Sequence, residues 1–155
     1  MIPLKRSKHL LGLLLCLCFS WTEAASIEGR VIKIADGDTL TLLQNGIKFR
    51  VRLADIQAPE KGRPYSAQAT RSLTFMCLGK AATVEVLDTD KYGRTVGRVF
   101  CDGIDANREQ ILRGMAKVYT RYLHDHSLSQ DQTFAQINNK GLWKNHKRFS
   151  SRFGR

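Results

Sequence analysis

The dipeptide Asn45-Gly46 constrains the fold more than any other short feature of this 155-residue chain. It stands between two extended patterns: Thr39–Leu43 alternates threonine with leucine, and Ile47–Leu53 alternates apolar with basic residues. Asn-Gly is the strongest short-range signal for a tight hairpin. The segment therefore predicts an antiparallel hairpin whose second strand turns one face to the core and a cationic face outward.

The rest of the chain alternates short extended and helical patterns separated by turn residues. Three further strands are predicted at Ile27–Ala35, Ala81–Leu87 and Arg94–Cys101, and helices are predicted from after Pro64 to Gly79, over Ile104–Gly114 and from Ser129 to Gly141. Five strands and three helices, without repeats or linkers, predict one α+β domain on a small, mostly antiparallel sheet or barrel.

Two of the helices carry specific boundary signals. Asp105 is the expected N-cap of the second helix. Ser129 and Gln132 stand at the spacing of a capping box for the third, in which Phe134 and Ile137 are the expected apolar residues.

The composition is that of a basic, soluble protein. Lys+Arg 25 against Asp+Glu 14 gives a formal charge of +11, and 43% hydrophobic with 25% charged residues excludes a collagen, a coiled coil or a wholly disordered chain. A pI near 9.9 makes a polyanion the first partner to consider, either nucleic acid or an anionic membrane surface. Simple solubility is the alternative explanation.

The first 25 residues have the pattern of a secretory signal peptide. Three basic residues precede the apolar run Leu10–Phe19, and small residues follow at positions 24–26. Because the run is about half of the ~20 residues that a spanning helix needs, an uncleaved anchor is the weaker interpretation. We expect cleavage between Ala24 and Ser26, a mature domain over residues 26–143, and a secreted or periplasmic protein.

Residues 144–155 form a predicted basic tail. No acidic residue follows Gln132, whereas Lys144, Lys147 and Arg148 are among the basic ones. Such a tail can hold nucleic acid or remain solvated, and the sequence leaves both open.

Two cysteines, Cys77 and Cys101, remain after the signal segment. In an oxidising compartment we expect them to form a disulfide that closes a loop of about 25 residues. Two buried free thiols are the alternative. A zinc site is improbable because no histidine stands at ligand spacing.

Acidic and basic side chains are predicted to meet at one end of the sheet. The turn at Asp36 and Asp38 lies beside the end of the strand Ile47–Leu53, which brings Arg52, Asp55 and Glu60 towards it. Oxygen-only ligands suit a hard cation such as Ca²⁺. Phosphodiester hydrolysis needs such an ion, a group that positions water, and cations that stabilise the charge developing in the transition state. Arg94 is a second planar hydrogen-bond donor, after Arg52, for that developing charge.

Four motifs carry a resemblance to a known family. They are ADGDT (Ala35–Thr39), VRLADIQAPE (Val51–Glu60), DKYGR (Asp90–Arg94) and RGMAKVY (Arg113–Tyr119). In this order they resemble the thermonuclease, or staphylococcal-nuclease-like, family over roughly residues 28–143. The resemblance implies an OB-type five-stranded β-barrel with three helices, and a Ca²⁺-dependent phosphodiesterase that acts on DNA and RNA.

The resemblance also implies roles for individual residues. Its catalytic positions fall on Arg52, Glu60 and Arg94. Its metal positions fall on Asp38 as a direct ligand, on Gln57 and on Ala58 through its backbone carbonyl. Its substrate-binding positions fall on Lys91 and Tyr92 near a terminal phosphate and on Tyr122 near the sugar and base.

The chain departs from the family pattern at Gln57, where a second calcium-binding aspartate is usual. The glutamine carbonyl can still bind Ca²⁺, but the site loses one negative charge, which should weaken metal binding. Asp55, two residues earlier, is a candidate compensating ligand. A common family aromatic is replaced by Thr120, and the basic tail replaces a Pro/Trp-rich ending.

These observations favour an exported, Ca²⁺-dependent, monomeric nuclease with little sequence preference and no stable membrane association after signal cleavage. The main alternative is an OB-fold nucleic-acid-binding protein with weakened catalysis, of which Gln57 would be the first lesion. A membrane-surface protein, the third hypothesis, leaves the acid cluster unexplained.

Overall fold

The computed structural model describes residues 25–144, except for the side chain of Tyr122. The predicted signal segment up to residue 24 and the tail from residue 145 onward lie outside these residues. The elements in chain order are β1 (Ser26–Asp36), β2 (Thr39–Gln44), β3 (Ile47–Leu53), β4 (Ile56–Gln57), α1 (Ser66–Cys77), β5 (Ala81–Thr89), β6 (Thr95–Cys101), β7 (Ile104–Asp105), α2 (Ala106–Leu112), β8 (Lys117–Val118) and α3 (Leu128–Ile137), with 3₁₀ turns at Thr120–Tyr122 and Gly141–Trp143.

Five strands close into a barrel, which confirms the predicted OB-type fold with three helices. The order β3-β2-β1-β5-β6 is antiparallel throughout, and a short parallel pairing between β3 and β6 closes it. That pairing joins Val51–Leu53 to Thr95–Gly97. We call it the seam. It brings the ends of two strands that are remote in sequence side by side.

The β2–β3 hairpin forms as the sequence predicts. Asn45 and Gly46 both have positive φ, 48° and 81°, and the register pairs Gln44 with Ile47 and Thr39 with Arg52. Leu40, Leu42 and Val51 are buried, whereas Ile47 at the tip is exposed. The hairpin thus ends beside the turn between β1 and β2.

The barrel and two helices enclose the core. Buried residues from β1, β2, β3, β5 and β6 pack with Ala69, Leu73 and Met76 of α1 and with Ile111 of α2. Cys77 and Cys101, also buried, form a disulfide of 2.06 Å that links the end of α1 to the end of β6. Within residues 25–144 no helix has the length and apolarity to cross a bilayer.

The second helix begins two residues later than predicted. Asp105 is its N-cap, as expected, and accepts a hydrogen bond from the Arg108 backbone N–H at 3.1 Å. Ile104, however, pairs with Cys101 in β7 and is partly exposed. A two-residue strand therefore replaces the predicted first turn.

The predictions for the third helix are wrong at both ends. Its N-cap is Ser127, and the predicted capping box does not form. Gln132 instead accepts a hydrogen bond from Val118 N–H at 2.8 Å, which ties α3 to β8. The helix ends at Ile137, which is 62% exposed, and Phe134 is 52% exposed. The buried face consists instead of Leu128, Asp131 and Ala135.

Candidate functional site

The turn between β1 and β2 presents two carboxylates, and its glycine fixes how tightly it packs. Asp36 Oδ1 accepts a hydrogen bond from Asp38 N–H at 3.0 Å. A Cβ on Gly37 would lie 2.5 Å from Ala69 Cβ and 2.7 Å from Ala58 Cβ. Only glycine lets this turn press against α1 and the segment after β4.

A buried glutamine on α2 holds the turn from behind. Gln110 Nε2 donates to Gly37 O at 2.6 Å and to Ala69 O at 3.1 Å, and the residue is fully buried. Removing it would leave two buried carbonyls without this donor, at a cost of about 1–3 kcal/mol each. Gln110 is a positioning residue that no sequence motif indicated.

Asp38 lies at the floor of the site, and its carboxylate is nearly buried. Its Oδ2 accepts the Ala58 N–H at 2.8 Å, its Oδ1 accepts the Thr39 hydroxyl at 3.1 Å, and Arg52 Nη1 lies 3.5 Å from Oδ2. Burial raises the pKa of Asp38 above its ordinary value, and the positive charge of Arg52 opposes the rise only in part.

Two backbone carbonyls fix the Arg52 guanidinium. Nη1 donates to Leu53 O at 2.9 Å and Nη2 donates to Ile56 O at 3.0 Å. The side chain therefore folds over the β3–β4 turn towards Asp38. The planar guanidinium is therefore held in one position at the cleft. Its positive charge is only partly neutralised, because Asp38 approaches it no closer than 3.5 Å.

Arg94 reaches the same end of the barrel because it directly precedes β6, whose Thr95 pairs with Val51. Asp90 accepts Arg94 Nε at 2.7 Å and the backbone N–H groups of Arg94 and Tyr92 at 3.0 and 2.9 Å. Desolvation opposes ionisation of Asp90, but these three hydrogen bonds outweigh it and hold its pKa below the ordinary value. Asp90 is a second positioning residue.

The side chains converge on a cleft of about 180 Å³. Its lining residues are Asp36, Asp38, Arg52, Gln57, Ala58, Pro59, Glu60, Lys61 and Arg94. The structure thus brings together all six residues assigned to catalysis or metal binding by the resemblance. Glu60 and Gln57 are exposed in this cleft, whereas Asp38 and Ala58 are buried.

Of the predicted substrate-binding residues, Lys91 and Tyr92 lie in the loop that ends at Arg94 and are not among the described residues that line the cleft. Tyr92 is 70% exposed, and its ring lies 5.1 Å from Lys91 Nζ and 5.6 Å from Arg94 Cζ. Tyr122 belongs to the 3₁₀ turn Thr120–Tyr122, and its side chain is outside the described part of the structure.

Asp55 is not a compensating metal ligand, contrary to the possibility raised by its position. Its side chain is only 6% exposed and binds the opposite segment: it accepts the backbone N–H groups of His124 and Asp125 at 3.0 Å and contacts His124 Nδ1 at 2.8 Å. With Arg98 it lines a separate cavity of about 320 Å³, where its charge is already satisfied. The β3–β4 turn aims Asp55 away from the cleft.

The donors in the cleft suit a hard cation. Asp36, Asp38, Gln57 and Glu60 offer only oxygen, the donor type that Ca²⁺ prefers. Among residues 25–144 no three His, Cys, Asp or Glu side chains converge on one point. A cation there would therefore need ligands besides carboxylates, and Gln57 and Ala58, which line the same cleft as Asp38, can supply neutral oxygens.

An anionic tetrahedral group matches this arrangement. Two fixed guanidinium groups supply positive charge, one from β3 and one from the residue directly before β6, and an exposed carboxylate at Glu60 faces the same space. Such a set of groups stabilises charge that develops on phosphoryl oxygens and orients a water molecule.

Comparison with known proteins agrees with this chemistry. Residues 50–145 match the family described as "Staphylococcal nuclease homologue". An "Uncharacterized endonuclease" of Escherichia coli O157:H7 is 36% identical over 132 residues, 84% of this chain and 86% of that protein. An "Uncharacterized endonuclease" of Haemophilus influenzae is 38% identical over 133 residues, 83% and 75%. A "Micrococcal nuclease" of Shigella flexneri is 32% identical over 130 residues, 77% and 75%.

Proposed function

Since the chain belongs to the staphylococcal nuclease family and is a nuclease that hydrolyses phosphodiester bonds, we propose that it is an exported, Ca²⁺-dependent enzyme that cleaves both DNA and RNA with little sequence preference. In this proposal it acts as a monomer, without stable membrane association once its signal peptide has been removed. It would be secreted or periplasmic.

The observation that carries the proposal is the pair of fixed guanidinium groups facing one cleft. Two backbone carbonyls orient Arg52 and Asp90 orients Arg94, so the two cations are arranged before substrate enters. Preorganised charge of this kind stabilises a transition state more than a ground state because no reorganisation is needed during the reaction.

The chain's own residues supply most of the proposed mechanism. Arg52 and Arg94 donate hydrogen bonds to the non-bridging oxygens of the phosphodiester. Glu60 accepts a hydrogen bond from a water molecule and orients it for attack, in which a new P–O bond forms as one ester P–O bond breaks. Asp38, Gln57 and the Ala58 carbonyl would hold Ca²⁺, which polarises the phosphoryl group when bound.

We attribute the proposed activity on both DNA and RNA to the side chains that line the cleft. Its described lining consists of charged groups and short side chains suited to a phosphate, and it includes no aromatic residue to stack on a base. Charge and phosphate geometry are common to DNA and RNA, whereas base edges and the 2′-hydroxyl distinguish them.

The support for export comes from the first 25 residues and from the disulfide. Paired cysteines are typical of oxidising compartments. Fractionation of the native host, with N-terminal sequencing of the mature protein, tests this part. Recovery of protein beginning near Ser26 outside the cytoplasm supports export, and recovery of the intact chain from the cytoplasm contradicts it.

A nuclease assay with millimolar Ca²⁺ or with chelator tests the mechanism. Native protein should cleave single-stranded DNA and RNA with Ca²⁺ alone, and Arg52→Ala or Arg94→Ala should lower kcat by about 10²–10³. Lysine at either position should rescue poorly, because an ammonium lacks the planar fork. The control is Arg71→Ala, an exposed arginine outside this cleft. Activity that survives chelation would refute the metal mechanism.

A further inference from the structure

The outer face of the first three strands carries cations in register. The pairing of β1, β2 and β3 aligns Arg30 with Leu43 and Lys48, and aligns Lys33 with Thr41 and Arg50. Directly paired residues in an antiparallel sheet project from the same face. The neighbouring positions Val31, Leu42 and Val51 are buried, so the cations point away from the core. We call Arg30, Lys33, Lys48 and Arg50 the cationic track.

The track leads directly into the catalytic cleft. The next row of the same face contains Asp36, Thr39 and Arg52, and both Asp36 and Arg52 line the cleft. Along β3 the cations Lys48, Arg50 and Arg52 therefore form one line. Alternate residues of a strand are about 6.8 Å apart, so the three cations form a regularly spaced positive stripe, the kind of feature that binds the backbone of a single strand.

The charge of the track is uncompensated within the described structure. All four of its residues are exposed, and none of them forms an ion pair with any residue from 25 to 144. Arg30 donates to a backbone carbonyl, that of Gly79, at 2.6 Å, which leaves its positive charge in place. The carboxylates on this face of β1 are Glu28, beyond Arg30, and Asp36, which already accepts the Asp38 N–H.

Protection of a sheet edge does not explain the pattern. Lysines on exposed edge strands prevent edge-to-edge association, and the first half of β3 lies outside the seam, which begins at Val51. However, Arg30 and Lys33 lie on β1, which pairs with β2 on one side and, at Arg30, also with β5 on the other. Arg30 is therefore paired on both sides, and protection of an edge does not account for a cation at that position.

We propose that the cationic track is a second nucleic-acid-binding site, which holds the sugar-phosphate backbone of a single strand as it leaves the catalytic cleft. The phosphate next to the cleaved one would contact Arg50 and Lys33, and the following one Lys48 and Arg30. The track thereby raises affinity for long substrates without contributing to bond cleavage. This inference rests on the proposed function for its substrate, but its location follows from strand register alone.

The test compares substrates of different length in the full mature protein. One substrate is a 20-nucleotide single strand, and the other is a nitrophenyl phosphodiester of thymidine, which cannot reach the track. In Lys48→Gln/Arg50→Gln, the ratio of KM for the 20-mer to KM for the ester should rise roughly tenfold at 0.1 M salt. Arg50→Gln should produce part of this change. Lys140→Gln, which removes one exposed charge directly before the 3₁₀ turn Gly141–Trp143, should produce none.

Binding of the 20-mer in chelator gives a readout that does not need catalysis. The slope of log affinity against log salt should fall by roughly 1.4 in the double variant, since each phosphate contact on a single strand contributes about 0.7. If the slope and the KM ratio are unchanged in Lys48→Gln/Arg50→Gln, or if Lys140→Gln changes them equally, the proposal that the cationic track binds nucleic acid is wrong. A native protein that binds with the expected slope difference but cleaves neither substrate would refute the proposed function and leave the track supported.

Discussion

At the scale of single residues, we expect the charge at position 57 to determine how strongly the cleft binds a cation. Gln57 is exposed in the cleft, and Asp38 supplies the buried carboxylate. Calcium affinity rises with the number of charged oxygen ligands. We expect Gln57→Asp to lower the Ca²⁺ concentration for half-maximal activity by roughly three- to tenfold.

Calorimetry and turnover, each titrated with Ca²⁺, measure this change independently. Gln130→Asp, on the exposed side of α3, adds the same charge away from the cleft and should leave both titrations unaltered. Identical titrations for native protein and Gln57→Asp would show that position 57 does not contact the metal.

Asp90 provides a residue-scale prediction about pH. Its depressed pKa means that its hydrogen bonds stabilise the 90–94 loop above the ordinary aspartate pKa and lose that contribution only as the pH falls through the lower folded value. Arg94→Ala removes one of the three bonds and should raise the pKa part of the way back. Carbon-detected NMR titration of the Asp90 carboxyl measures it.

Lys91→Ala is the matched control for this titration, because all three hydrogen bonds to Asp90 remain. An Asp90 pKa that is the same in native protein and Arg94→Ala would contradict the claim that Asp90 orients the arginine.

At the scale of elements, Asn107 connects α2 to the seam. Its Oδ1 accepts Val99 N–H at 2.9 Å, and its Nδ2 donates to Ala54 O at 2.9 Å and to Gly97 O at 3.3 Å. Asn107→Ala leaves the Val99 N–H on β6 and the Ala54 carbonyl after β3, both buried, without this partner. It should lower the free energy of unfolding by about 3 kcal/mol.

Urea denaturation measures that loss, with Asn138→Ala as the control. Asn138 makes a comparable side-chain hydrogen bond, to Phe134 O, but it is exposed at the end of α3. A loss below 1 kcal/mol for Asn107→Ala would show that α2 does not hold the seam.

The elements also show which features a sequence can predict. The hairpin was predictable because Asn45 and Gly46 determine the local backbone, whatever surrounds them. The buried face of the third helix was not predictable, because a buried charge lies on it: Asp131 accepts a hydrogen bond from Arg108 Nη2 at 2.9 Å. An apolar pattern does not reveal a carboxylate whose burial depends on an arginine from another helix.

The residues of the candidate site also differ in whether the sequence predicts them. Its charged residues lie in short motifs and were predictable, whereas Gln110 and Asn107 act through contacts made only after folding. Gln110 reaches Gly37 across 73 positions, and Asn107 reaches Ala54 across 53. Nothing local to either residue signals such a contact.

At the scale of the whole molecule, one disulfide joins the end of α1 to the far end of β6. In the chain-entropy model, a disulfide that closes a loop of about 25 residues lowers the entropy of the unfolded chain and so raises the free energy of unfolding by about 3.5 kcal/mol. Reduction, or Cys77→Ala/Cys101→Ala, should therefore lower Tm by roughly 10 °C. Calorimetry of oxidised and reduced protein checks this, and identical Tm values would mean that the bridge adds nothing to stability.

The short seam predicts how the protein loses activity when it is destabilised. Arg52 and Arg94 lie on opposite sides of a pairing that spans three residue positions. In the proposed mechanism, activity therefore depends on the local stability of this pairing rather than on global stability. Opening this pairing alone would separate the two cations while most of the sheet persisted. As urea rises, turnover should disappear before the far-UV signal of the strands does. The Ala54 amide, which donates to Gly97 O at 2.8 Å between the two strand ends, should exchange hydrogen faster than the amides of β1. Coincident loss of all three signals would mean that the barrel opens only when it unfolds.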